Sequence, residues 1–169
     1  MRPIFLIGFR ASGKTALGKR VAAILQLPFY DLDDVFEERF GPISKYVTEN
    51  NWEAFRAEES RILKEFLHIP AIIATGGGIV EDIANKKALK QALTVFLDTP
   101  LETILERLLS AENTRPALMP DISTEDEICH TWGKRLPWYK ETAQLHFAPK
   151  GELETDAEDL AEKLRSLIE

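Results

Sequence analysis

Eight residues near the start of the chain, Gly8-Phe9-Arg10-Ala11-Ser12-Gly13-Lys14-Thr15, carry the pattern G-x-x-x-x-G-K-[ST]. Each fixed position has a chemical reason. Glycine lets the backbone pass close to an anion with its N–H groups turned inward, where no side chain would fit. A helix opening at Lys14 would aim the positive end of its dipole at the same point. Lys14 would add a cation for the β- and γ-phosphates of a nucleotide, and Thr15 a hydroxyl for magnesium. The pattern follows an apolar run, Ile4-Phe5-Leu6-Ile7, and opens an amphipathic segment. That context predicts triphosphate binding rather than a plain glycine turn.

A phosphate loop alone does not separate a kinase from a nucleotide hydrolase, so the second substrate must be read elsewhere. Asp31-Leu32-Asp33-Asp34 falls where a second strand should end, and strand ends in parallel sheets face the ligand crevice. Extended alternation would point Asp31 and Asp33 the same way. One carboxylate could then hold magnesium through water, while the other orients a hydroxyl and takes its proton. The competing reading is an N-cap with first-turn acids for a helix from Val35, a part Asp34 would play. Arg56 lies on a helical stretch behind Trp52 and Phe55. It could fork onto a carboxylate, with Glu59 on the same face to hold it; a surface ion pair explains the same spacing. Gly76-Gly77-Gly78 allows a ligand close to the backbone, or only a tight strand-to-helix turn. Arg115 could close over a transferring phosphoryl group, and Arg135 is a further candidate ligand for carboxylate or phosphate.

Short β-type runs alternate with longer amphipathic segments, the pattern of an α/β fold with a parallel sheet. Strands are predicted at 3–7, 28–30, 71–74, 93–97 and 145–147. Helices are predicted at 14–25, 35–66 with an interruption at Gly41-Pro42, 100–109, 125–143 and from 156 onward. Pro137 should kink or break the fourth of these. The stretch 111–124, with Pro116 and Pro120, has little apolar periodicity and reads as a mobile surface loop that closes over ligands.

The 169 residues suit one domain, and 44% apolar with 29% charged residues is ordinary for a globular chain. A net charge of -7 argues against a general nucleic-acid binder, though local arginines can still build a cationic pocket. Cys129 is the only cysteine, which excludes an intrachain disulfide and fits a reducing cytosol. His68, His130 and His146 have no metal-ligand spacing. The apolar start is too short for a signal sequence or a membrane span, so a soluble, cytoplasmic protein is expected.

Taken in order, the phosphate loop, Asp-x-Asp, Phe-Arg on a helix, Gly-Gly-Gly, Arg-Pro in a loop and Arg-x-Pro-x-Tyr resemble the shikimate kinase family over nearly the whole chain. The resemblance implies ATP- and magnesium-dependent phosphorylation of the 3-hydroxyl of shikimate, in chorismate and aromatic amino-acid biosynthesis. It implies a three-layer α/β/α P-loop fold with a five-stranded parallel sheet in order 2-3-1-4-5, one domain over 1–169, a helical substrate-binding region at 32–60 and a mobile lid at 111–124. Ala11, Ser12, Gly13, Lys14, Thr15 and Ala16 would hold ATP, with Arg107 near adenine and Arg115 over the γ-phosphate. Thr15 and Asp31 would serve magnesium. Asp33, Arg56, Gly76, Gly77, Gly78 and Arg135 would bind shikimate, and Lys14, Asp33 and Arg115 would be catalytic. A monomer with no nucleic-acid or membrane partner is implied. The chain departs from the family pattern at Ala11, where many members have Gly, and at Asn51-Trp52, which leaves the local helix start open. It departs also in the lid sequence Arg115-Pro116-Ala117-Leu118-Met119-Pro120 and in the spacing that puts Arg107 near adenine. A gluconate kinase shares the loop and size, and a binding relative without turnover is the non-enzyme alternative.

Overall fold

A computed structural model describes residues 2–111 and 116–168. Its centre is β1 (Ile4–Ile7), four apolar residues that are fully buried. Strands β2 (Phe29–Asp31), β3 (Ile72–Ala74), β4 (Leu93–Leu97) and β5 (Leu145–Phe147) complete a five-stranded sheet in order β2-β3-β1-β4-β5, with every pairing parallel. The two-residue period of a strand divides β1 between two cores. Ile4 and Leu6 join Leu17, Val21, Leu160 and Leu164 on one face, whereas Phe5 and Ile7 join Phe36, Phe55, Leu63, Phe96 and Tyr139 on the other. A sheet buried on both faces needs strands that are apolar throughout, which is why β1, β3 and β4 are nearly so.

Helices α1 (Lys14–Leu25) and α8 (Leu153–Ile168) pack together on the first face. Gly18 lets α1 lie close to the sheet, because a Cβ there would stand 2.6 Å from the Phe29 ring and 2.9 Å from Leu6. The other face carries α2 (Leu32–Phe40), α3 (Ile43–Glu49), α4 (Trp52–Phe66), α5 (Ile83–Gln91), α6 (Leu101–Ser110) and α7 (Thr124–Thr142). This is the α/β/α arrangement and strand order that the family resemblance implied. Among the described residues no helix is long and apolar enough to cross a membrane.

Four local expectations need correction. The helix after β2 begins at Leu32, not Val35, and its N-cap is Asp31, whose side chain accepts from the Asp33 amide. Asp34 is therefore a first-turn acid, and Asp31 and Asp33 are set by a cap and a helical turn rather than by strand alternation. α8 begins at Leu153, three residues before the predicted start. α5 was not predicted at all; its buried residues are only Asn85 and Leu89, too few for an apolar stripe. α7 runs through Pro137 without a break, held by buried Thr131 and Arg135 before it and Tyr139 and Thr142 after it. The α2–α3 interruption lies at Gly41 and Pro42 as predicted, with Gly41 at φ 81°.

The open helix start at Asn51-Trp52 has a clear answer: the Asn51 side chain accepts from the Ala54 amide at 2.7 Å and caps α4. Replacing a capping Asn by Ala typically costs ~1 kcal/mol. Asn51→Ala should lower stability by that amount in denaturant melts, with the fold unchanged by circular dichroism.

Candidate active site

The phosphate loop spans the turn from β1 into α1. Gly8 (φ 152°) and Gly13 (φ 98°) take backbone angles closed to most side chains, and a Cβ on Gly8 would press at 3.0 Å on both the Leu97 carbonyl and Ser12 Oγ. Ala11 adopts φ 60° without being glycine, so the family departure noted above is a strained position. Neighbouring elements hold the loop in shape. Thr99 Oγ1 donates to the Ser12 carbonyl, and Arg107 of α6 donates to the Ala11 carbonyl, both at 2.8 Å. Lys14 Nζ lies over the loop, donating to the Gly8 and Phe9 carbonyls at 2.8 and 2.9 Å.

The crevice above the loop is lined by Ala11, Gly13, Lys14, Thr15, Ala16, Asp31, Asp33, Thr75 and Arg107, among others. Thr15 Oγ1 donates to Asp31 Oδ2 at 2.5 Å. Burial, with help from the charges of Asp33 and Asp34, raises the Asp31 carboxyl above its ordinary value, while the Thr15 hydroxyl opposes the rise. A hydroxyl and a carboxylate side by side form an oxygen-only donor set, which suits a hard divalent ion such as magnesium. Ser12 faces an adjoining depression instead, shared with Gly13, Arg107, the β5–α8 loop at Pro149 and Gly151, and Leu153 at the start of α8. The sequence reading had given that loop no role. Asp156 shapes it by accepting from the Lys150 and Gly151 amides.

A second pocket gathers Asp33, Arg56, Gly76, Gly77, Gly78 and Arg135, the residues predicted to bind an acid, and adds Phe9, Trp52, Phe55, Glu59, Glu127 and Thr131. Arg56 is no surface ion pair. Its guanidinium lies 5.4 Å from the Trp52 ring centre and 5.2 Å from that of Phe55, and it donates to Glu59 at 2.8 Å. Arg135, on α7, lies 5.7 Å from the Phe9 ring centre and donates to Glu81 at 2.6 Å. Burial pushes the Glu59 carboxyl up, with Arg56 opposing that shift. At Glu81 burial also acts upward, but Arg135, Arg56 and Lys134 outweigh it and hold the carboxyl below its ordinary value.

The glycine triplet has a steric cause. Gly76–Gly78 are absent from the positive-φ residues. However, a Cβ at Gly76 would collide with Glu59 and stand 3.1 Å from Asp33 Oδ1, and one at Gly78 would collide with the Arg56 guanidinium. The crowding comes from the ends of charged side chains at Gly76 and Gly78 and from the Arg10 backbone amide, 3.1 Å away, at Gly77. Tyr139, which closes the Arg-x-Pro-x-Tyr pattern and has no role assigned from the sequence, is fully buried, stacks on Phe96 and donates to the Gly77 carbonyl at 2.5 Å. Burial raises its hydroxyl well beyond the ordinary range, so it stays a donor. Arg115 lies outside the described residues. Of the stretch expected to form a lid, Pro116 and Leu118 line this second pocket, and the Met119 amide donates to Glu127.

The sequence model of shikimate kinase matches residues 10–166. The chain belongs to the shikimate kinase family. It is 38% identical over 172 residues to a bifunctional shikimate kinase/3-dehydroquinate synthase of Thermotoga maritima, an alignment covering 98% of this chain and 34% of that protein. It is 37% identical over 154 residues to a pentafunctional AROM polypeptide of Lachancea thermotolerans, covering 85% of this chain and 9% of that one. The chain thus spans about a third or less of the length of these curated relatives. Among solved structures, a shikimate kinase from Acinetobacter baumannii in complex with shikimate superposes with a TM-score of 0.85 at 30% identity, covering 99% of this chain and 93% of that one.

Ala11 is where this member of the shikimate kinase family can be improved. Relief of a left-handed L-residue is worth about 1–2 kcal/mol, and the extra freedom of glycine in the unfolded chain returns about 0.4–1 kcal/mol. Ala11→Gly should therefore stabilise the chain by about 0.5–1 kcal/mol, read as a higher denaturation midpoint at unchanged slope.

Proposed function

We propose that this chain transfers the γ-phosphoryl group of ATP to the 3-hydroxyl of shikimate, giving shikimate 3-phosphate and ADP. The observation that carries the reading is that the phosphate crevice and the arginine-lined pocket share Arg10, Asp33 and Gly77. An acid gripped at the far end of the second pocket would thus present its ring hydroxyls towards the first. In this reading Arg56 and Arg135 bind the carboxylate, and Gly76 to Gly78 supply close-lying backbone. Asp33, at the junction, orients the 3-hydroxyl and accepts its proton as the oxygen attacks phosphorus. Ala11 to Ala16 cradle the phosphates, with Lys14 as the fixed cation. Arg107 and the β5–α8 loop flank the base, and Arg115 covers the γ-phosphate from the lid. Thr15 directly and Asp31 through water would hold magnesium, which when bound neutralises charge on the phosphate oxygens.

Gluconate is the rival acceptor, since it too is a polyhydroxy carboxylate. A pocket with arginines stacked on aromatic rings and Asp33 at its junction with the phosphate crevice favours a ring over a flexible chain, which would lose more freedom on binding. The same reading makes the chain a cytoplasmic, monomeric enzyme of chorismate biosynthesis that needs no nucleic acid or membrane.

ADP release measured with a panel of acids tests the assignment. Shikimate should be turned over and gluconate should not; the reverse result would overturn it. Arg56→Ala should raise the KM for shikimate by about ten- to a hundredfold, the usual worth of hydrogen bonds to a charged group. Asp33→Asn should lower kcat by about 10²–10⁴-fold with the KM for ATP nearly unchanged. An unaltered shikimate KM in Arg56→Ala would show that the carboxylate grip is elsewhere.

A further inference from the structure

Glu81 ends the 3-10 turn Ile79–Glu81 that follows the glycine triplet, and it is not among the residues lining the acid pocket. It reaches the pocket's cations from outside. Its Oε2 lies 2.6 Å from Arg135 Nη2 and 3.7 Å from Arg56 Nη2, while Oε1 lies 3.5 Å from Lys134 Nζ. One carboxylate oxygen therefore sits between two guanidiniums delivered by different helices, α4 and α7. Those two like charges repel, and both are mostly buried, so their separation depends on what lies between them.

Arg135 adds an independent sign. Its side chain is only 5% exposed, and among the described residues its Nε has no hydrogen-bond partner. A buried, charged N–H without an acceptor is costly unless a ligand supplies one. Glu81 takes Nη2 while Nε stays available. That division of one guanidinium is what a bound carboxylate would need.

We infer that Glu81 is a positioning residue for acid recognition, holding Arg56 and Arg135 at the spacing at which both meet one substrate carboxylate. The inference rests on the acid-binding reading above. A carboxylate that only competed for the arginines would lower the shikimate KM when removed, whereas a positioning carboxylate raises it. The surrounding cations keep its carboxyl ionised at neutral pH, so the bridge is charged when the enzyme works.

The test compares the full chain with Glu81→Ala, Glu81→Gln and Glu81→Asp, using initial rates with shikimate and ATP. Calorimetric binding of shikimate and of its uncharged carboxamide accompanies the kinetics. Glu81→Ala should raise the shikimate KM about tenfold or more, as loss of a supporting carboxylate does elsewhere. The kcat and the KM for ATP should stay within about twofold. Glu81→Asp should restore part of the loss, and carboxamide binding should be unchanged by any of the variants. A shikimate KM equal to or below that of the unsubstituted chain would overturn the inference, as would equal losses for acid and carboxamide. If Glu81→Ala does not fold, the same comparison in the near-isosteric Glu81→Gln decides: a raised shikimate KM supports the role, and an unchanged one removes it. Failure of the unsubstituted chain to phosphorylate shikimate would instead remove the acid-binding reading, and this inference with it.

Discussion

Two guanidinium groups, Arg56 and Arg135, are held largely out of water beside a loop built for phosphates. Desolvating an ion costs several kcal/mol even after relaxation, and close carboxylates can offset that cost only with good geometry. Glu59 serves Arg56, Glu81 serves both arginines, and three aromatic rings cover their faces. This cluster dictates much of the nearby chain. Glu59 and Arg56 occupy the space that side chains at Gly76 and Gly78 would fill. Buried Tyr139 on α7 donates to the Gly77 carbonyl and so ties that backbone to the helix.

The sheet gives the cluster its place. Parallel strands deliver their carboxyl ends to one edge, so the turn after β1 and the chain following β2 and β3 meet there. Asp31 shows how economically the edge is used: one oxygen caps α2 through the Asp33 amide, and the other accepts from Thr15 on α1. That single carboxylate fixes the start of the helix carrying Asp33 and joins it to the phosphate loop. The phosphate loop and the arginine-lined pocket are thereby set at a defined separation.

Much of this was legible in the residues themselves. The phosphate loop could be read because its glycines answer a backbone constraint that no other residue type meets, and strands β1, β3 and β4 because burial on both faces leaves apolar runs. The gathering of Asp33, Arg56, Gly76–Gly78 and Arg135 was legible only from their order along the chain, since no local pattern brings α4, β3 and α7 together. What escaped was decided by tertiary contact. Glu81 is an ordinary charged residue until α7 places Arg135 beside it. α5 has almost no apolar stripe, and Pro137 is tolerated because buried side chains on both sides hold the helix. The start of α2 was misplaced because Asp31 was read as strand chemistry when it is also a cap.

The central claim is geometric: a carboxylate grip and a phosphate cradle share one junction at Asp33. A crystal structure of the chain with shikimate and a non-hydrolysable ATP analogue tests it most directly. The acid carboxylate should lie between Arg56 and Arg135, with the 3-hydroxyl on Asp33 facing the terminal phosphate above Lys14. An acid bound away from both arginines, or a hydroxyl turned away from the nucleotide, would contradict the account.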